Sequence, residues 1–169
     1  MNLPKLKFNR LPFFFAVLMV CFLIMIVPSL LPVQSTAQKQ ATVQQNNVQS
    51  QQASAASIFN NNLVVSGITL IPFVGWGYLI FALWNTGVVI ASYGHPWYWI
   101  FNNPFAWVEL SVYSYVLLQS WKLRRLIPQW RCNDFKVTFT KTVAYTFIVM
   151  IIVLFVSAMV EYFVIRGAI

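Results

Sequence analysis

"NNNLVVSGITLIPFVGWGYLIFALWNTGVVIASYG", residues 60–94, is the stretch that decides how the chain folds. As one helix its apolar part would extend ~48 Å at ~1.5 Å per residue, against a hydrocarbon layer of ~30 Å. Pro72, Gly75 and Gly77 stand at its middle, where a missing N–H and two absent side chains favour a break or a turn. The stretch therefore predicts two short spans, 57–74 and 76–93, joined by a tight turn at PFVGWG.

The rest of the chain has the same membrane character. Of 169 residues, 59% are hydrophobic and 8% charged, whereas a soluble domain carries roughly a quarter of its residues charged. The net charge of +8 does not imply nucleic acid, because the basic residues fall into two short clusters beside apolar runs, the pattern of orientation signals. Cys21 and Cys132 are the only cysteines, one mid-span and the other in a basic segment, so no disulfide is expected between them. No Cys or His spacing suits a metal, and no cofactor is expected.

Outward from the central stretch, residues 1–10 form a cytoplasmic N-terminus and 11–33 a first span. Ser35-Thr36-Ala37 resembles a cleavage site, but the apolar run exceeds the ~7–15 residues of a signal peptide, so a retained helix is expected. Residues 34–57 form a glutamine-rich polar loop with one charge, Lys39, too polar to repay its own ordering. Residues 94–103 are an aromatic segment containing Trp97, Tyr98 and Trp99. Asn103 before Pro104 marks a helix start and opens a fourth span, 104–121. A basic cytoplasmic loop, 122–141, leads to a fifth, 142–163.

Charge arbitrates between this layout and a four-span one. With five spans, Lys5, Lys7 and Arg10 share the inner side with Lys122, Arg124, Arg125, Arg131, Lys136 and Lys141. Only Lys39 and Arg166 lie outside. A single span over 60–94 would move the larger cluster outside, against the positive-inside rule. Within the basic loop, Lys122, Arg124, Arg125 and Arg131 are expected to contact anionic lipid.

The chain has three acids, Glu109, Asp134 and Glu161. An acid at mid-bilayer costs ~2.5–3.5 kcal/mol, so such groups pair or face a cavity. The five-span layout brings Glu109 and Glu161 to the outer half of the membrane, with Asn60, Asn61, Asn62, Asn102, Asn103 and His95 on the same side. Tyr113 follows Glu109 by one helical turn and can meet it. Two readings stay open for this cluster: a polar site holding a cation, a proton or a partner, or hydrogen bonding between helices. In the third span, Asn85, Gly87, Ala91 and Gly94 form a stripe for close helix packing within the bundle, with contact between copies in a homo-oligomer as the rarer option.

Four motifs resemble the stage II sporulation protein M family of membrane proteins. "IFNNNLVV" (58–65) is similar to an asparagine pair opening a span, and "LWNTGVV" (83–89) to an Asn-Gly span. "PFAWVEL" (104–110) resembles a Pro-His-Gly-x-x-Glu motif, with Pro104 and Glu109 at the matching positions. "AMVEYF" (158–163) is similar to the family's Ile-Glu-Gly-Phe ending. Phe105, Ala106 and Tyr162 depart from the pattern, and without the histidine a proton-relay or metal role does not carry over. The resemblance covers roughly residues 57–165 and implies a non-enzymatic membrane scaffold.

The sequence thus predicts an all-α, polytopic membrane helical bundle of five transmembrane helices, N-terminus in and C-terminus out, in the cell membrane. It is read as a non-enzymatic scaffold or assembly protein whose partners are lipids and other membrane proteins. The alternatives are an accessory subunit of a larger membrane enzyme complex and a small transporter or channel component.

Overall fold

The computed structural model describes residues 10–30, 54–92, 101, 103–129 and 133–165. Its elements are α1 (Arg10–Leu30), α2 (Ala55–Thr69), α3 (Val74–Ser92), α4 (Pro104–Leu126), a 3-10 turn (Ile127–Gln129) and α5 (Asn133–Ile165). No strand occurs among the described residues.

Local chemistry sets the helix ends. Ser54 caps α2 reciprocally: its side chain accepts from the Ser57 N–H at 3.1 Å, and its own N–H donates to Ser57 Oγ at 2.9 Å. α2 stops ahead of Pro72, which disfavours helical conformation in the residue before it. Phe73 then takes φ 72°, and the Gly75 N–H donates to the Ile71 carbonyl at 2.9 Å. A Cβ on Gly75 would lie 2.1 Å from the Thr69 carbonyl oxygen, whereas one on Gly77 would meet nothing. The turn is therefore Leu70–Phe73, earlier and shorter than the PFVGWG segment expected. Gly75 is there for close approach, and Gly77 already belongs to α3. At the start of α4, Asn103 Oδ1 accepts from the N–H groups of Phe105 and Ala106 at 3.1 and 3.3 Å, with Pro104 in the first turn.

Side-chain contacts fix the helix directions. Val65 of α2 packs against the cluster holding Leu79 and Leu83 of α3, so α3 runs back along α2. Arg124, at the end of α4, lies 4.8 Å over the Phe73 ring, and Trp121 and Trp76 are 5.4 Å apart. At the other end, Phe22 stacks on Trp107 at 5.0 Å and Phe59 meets Phe155 edge-on at 5.9 Å. Hence α1, α3 and α5 run one way, and α2 and α4 the other. α4 touches all four other helices, and α2 touches α3, α4 and α5. One core lies among α1, α3 and α4, around Phe22, Met25, Leu83 and Leu110. A second joins α2, α4 and α5 around Leu70, Val116, Met150 and Leu154.

Two expectations are corrected. Among the described residues three helices, not five, are long and apolar enough to cross a membrane: Leu11–Leu30, Val74–Ala91 and Phe135–Val164. α2 has 15 residues, ~22 Å of helix. α4 is long enough, with 23 residues, but carries Glu109, Gln119, Lys122, Arg124 and Arg125. α4 packs against the other four helices and buries Ser114, Gln119 and Ser120, whereas its Lys122, Arg124 and Arg125, and Asn60 and Asn61 of α2, are exposed. Nor is 122–141 a loop. α4 continues to Leu126 and α5 begins at Asn133, because no proline or glycine interrupts "NDFKVTFTK" (133–141); Lys136 and Lys141 are exposed on α5.

Candidate functional site

A cavity of about 640 Å³ lies at the end of the bundle away from the 70–73 turn. All five helices contribute: Met25 from α1; Ser57, Asn61 and Asn62 from α2; Leu83 and Thr86 from α3; Glu109 and Tyr113 from α4; Glu161 from α5. Glu109 is five residues into α4 and Glu161 four from the end of α5, which puts each within ~8 Å of the same bundle end. The exposed residues Ser57, Asn61 and Thr86 form the rim, and buried Leu110 and Tyr113 form the floor.

Helical periodicity explains which side chains point inward. On α2 the buried residues are Asn62, Ser66 and Thr69, at spacings of four and three, one face of a helix. On α5 the buried line runs Thr146, Met150, Leu154, Ser157 and Ala158, and Glu161 continues it into the cavity. On α4, Glu109 and Tyr113 are one turn apart beside buried Leu110 and Leu117.

Three of these side chains form a directed chain. The Tyr113 hydroxyl donates to Asn62 Oδ1 at 3.0 Å, and Asn62 Nδ2 donates to Glu109 Oε1. The amide thus uses its acceptor toward the phenol and its donor toward the carboxyl, which fixes its orientation. Glu161 differs: its Oε2 is buried and has no hydrogen-bond partner among the described residues. The cavity therefore holds one acid with a partner and one orphan oxygen.

The expected cluster is only partly assembled. Glu109, Glu161, Asn61 and Tyr113 all line the cavity. Asn60 is exposed and does not line it, and Asn103 serves as the α4 cap. Asn62, which links the phenol to the acid, was not singled out from its neighbours, although its spacing to Ser66 and Thr69 marks it. Tyr113 reaches Glu109 through Asn62. Asn102 and His95 lie outside the described residues. In the packing stripe, Gly87 lies against α1: a Cβ there would fall 2.0 Å from the Met25 carbonyl oxygen and 2.6 Å from Pro28 Cγ. Asn85, by contrast, is exposed, Ala91 is half-buried and Gly94 lies outside the described residues. Asn85 is therefore no packing residue, since it points away from the face that Gly87 presents.

At the opposite end, Lys122 Nζ donates to Gln119 Oε1 at 2.8 Å. Arg124 and Arg125 lie over aromatic rings, and Arg131 is outside the described residues. Among the described residues no three His, Cys, Asp or Glu side chains converge as metal ligands. Between α1 and α5, one face of α4 is left open as an apolar groove of about 430 Å³. Phe14 forms one wall, Val149 and Val153 the other, and Trp107, Val108, Ser111, Val112 and Tyr115 the floor.

The chain matches no family model, no curated protein and no solved structure.

Proposed function

We propose that the chain is a five-crossing protein of the cell membrane, N-terminus in and C-terminus out, that works without catalysis as a scaffold or assembly component. The resemblance to the stage II sporulation protein M family implies the same role. The alternation of helix directions supports five crossings, with α4 in contact with the other four helices. The observation that carries the scaffold reading is the apolar groove floored by α4. It opens sideways, where a partner's transmembrane helix would lie, and such contacts rest on close packing rather than on the hydrophobic effect.

The test is to compare what accompanies the wild-type chain and Val108→Trp through purification in mild detergent. Val108 is exposed in the groove, so the bulkier ring fills the groove without disturbing the core. A partner present at fixed stoichiometry with the wild type and lost with Val108→Trp supports the reading. A chain that purifies alone, or a partner indifferent to the substitution, overturns it. If the partner is a metalloprotein, the accessory-subunit role is favoured over a free scaffold.

Orientation has its own probe in Cys132, since Cys21 is buried. Cys132 is expected to resist a membrane-impermeant maleimide in intact cells and to react in inside-out vesicles. Labelling from the outside would invert the layout.

A second reading, a small transporter component, is favoured by the orphan oxygen of Glu161 facing the cavity. It requires a polar route through the other half of the bundle. There the core between α1, α3 and α4 is closed by Leu18, Leu79 and Leu117, which favours the scaffold.

A further inference from the structure

The end of the bundle opposite the cavity carries separate chemistry, independent of the scaffold reading. Phe73 holds φ 72°, a left-handed conformation that is strained for a bulky residue. The turn thus bears strain that glycine would relieve. The conformation sets the exposed Phe73 ring against the Arg124 guanidinium, 4.8 Å from the ring centroid. Arg124 also lies 5.7 Å from the Trp121 ring, and Arg125 lies 5.5 Å from that same ring. Trp121 in turn packs on Trp76 at 5.4 Å.

Two like charges at adjacent positions are therefore held on one aromatic platform. Both arginines are exposed. Glu109 and Glu161 are at the cavity end, ~22 Å away along α4; the third acid, Asp134, stands in the first turn of α5. Arginine forks match phosphate oxygens two at a time, and stacking on rings orients their planes in advance. Depth selects the kind of phosphate. The apolar spans of α3 and α5 begin at Val74 and Phe135, so Phe73 stands at a span boundary, where tryptophans such as Trp76 sit at headgroup level. Acyl chains held there would run along the exposed Trp76 and Ile80 of α3.

We propose that Phe73, Trp121, Arg124 and Arg125 form a seat for the phosphodiester of an anionic phospholipid headgroup. A general attraction to anionic lipid needs only charge; this seat needs the ring geometry as well.

The experiment is native mass spectrometry of the full chain in mild detergent with equimolar phosphatidylglycerol and phosphatidylcholine. The wild type is expected to retain phosphatidylglycerol selectively. Arg124→Lys keeps the charge but loses the fork, and is expected to cut that selectivity about fivefold, as much as removing a whole charge near a membrane surface. Phe73→Gly relieves the turn and removes one ring of the platform, the one over which Arg124 lies at 4.8 Å. It is expected to keep or raise thermal stability in neutral detergent while selectivity falls by a similar factor. Lys136→Gln with Lys141→Gln, which removes two charges from exposed positions on α5, should leave selectivity in place. Wild-type selectivity in Arg124→Lys or Phe73→Gly, or an equal fall in the double lysine variant, would reduce the seat to bulk charge. Displacement of the lipid by millimolar inorganic phosphate would make it a free-anion site. Any of these overturns the proposal.

Discussion

α4 and α5 pack side by side and reverse the rule of soluble proteins. α4 carries an acid, a glutamine, three serines and three basic residues, and its ten buried residues of 23 include Ser114, Gln119 and Ser120. α5 is apolar over Phe135–Val164, yet Ile148, Ile152, Phe155 and Val156 are exposed. In water that arrangement would leave hydrocarbon in the solvent and polar groups in the core. In lipid it is the economical one: apolar side chains gain nothing from being hidden, and polar groups must find partners in one another. The contrast identifies the solvent more firmly than either helix does alone.

The sharpest way to break the contrast is Ile148→Lys, at the middle of α5 and 56% exposed. On insertion scales the change costs about 3–4 kcal/mol at a helix centre. A glycosylation-based insertion assay should show a large loss of spanning α5, whereas a water-facing α5 would accept lysine with no loss.

Next comes Gly87→Ala. The added carbon would meet the Met25 backbone and the Pro28 ring, neither of which yields as a flexible side-chain tip would, so α1 must move away from α3. A cost of about 2–3 kcal/mol is expected in thermal or denaturant unfolding in detergent. Gly77→Ala, with open space around it, should be neutral or slightly stabilising. Equal effects at the two positions would mean that α1 and α3 do not meet as described.

The same contrast marks what the sequence could say. The all-helical class, the reversal near Pro72 and the Asn103 cap were legible because each rests on local chemistry: a missing N–H, or a side chain satisfying its own backbone. The count of long apolar spans was not, because α2 has only 15 residues and α4, which buries ten of its 23 residues against its neighbours, need not be apolar. Composition cannot tell a lipid-facing position from a helix-facing one. The cavity was legible in outline, since Glu109 and Glu161 lie near ends that the layout brings together. Which asparagine of 60–62 enters it depends on helix rotation. Only the Asn62, Ser66 and Thr69 spacing encodes that, and it is quiet beside the runs of valine and isoleucine. The start of α5 at Asn133 was hidden because a basic, polar segment reads equally as a loop or as an exposed helical turn.

A third test addresses the polar interior of α4. Asn62→Ala strips Tyr113 of its acceptor and Glu109 of its donor, leaving two polar groups to be satisfied in a buried place. About 1–3 kcal/mol should be lost. Glu109→Gln keeps an oxygen that can accept from Asn62 and should change stability by less than about 1 kcal/mol. A cost for Glu109→Gln as large as that for Asn62→Ala would mean that the carboxyl is held as a paired charge, and the cavity would then need a cation.

The smallest effect is the most discriminating within α4, because its serines are of two kinds. Ser114 is fully buried, and its hydroxyl donates to the Leu110 carbonyl at 2.8 Å. Ser120 is equally buried, but its hydroxyl has no partner among the described residues. Replacing a bonded hydroxyl forfeits that bond, whereas replacing an orphan removes a desolvation cost. Ser114→Ala is therefore expected to lose about 0.5–1 kcal/mol, and Ser120→Ala to gain up to about 1 kcal/mol. Opposite signs in paired unfolding measurements would show that polarity in α4 stabilises only where it is answered by a neighbour. A loss at Ser120 would instead place an additional hydrogen-bonding group, a water or a partner's side chain, against the second core at the α4–α5 contact.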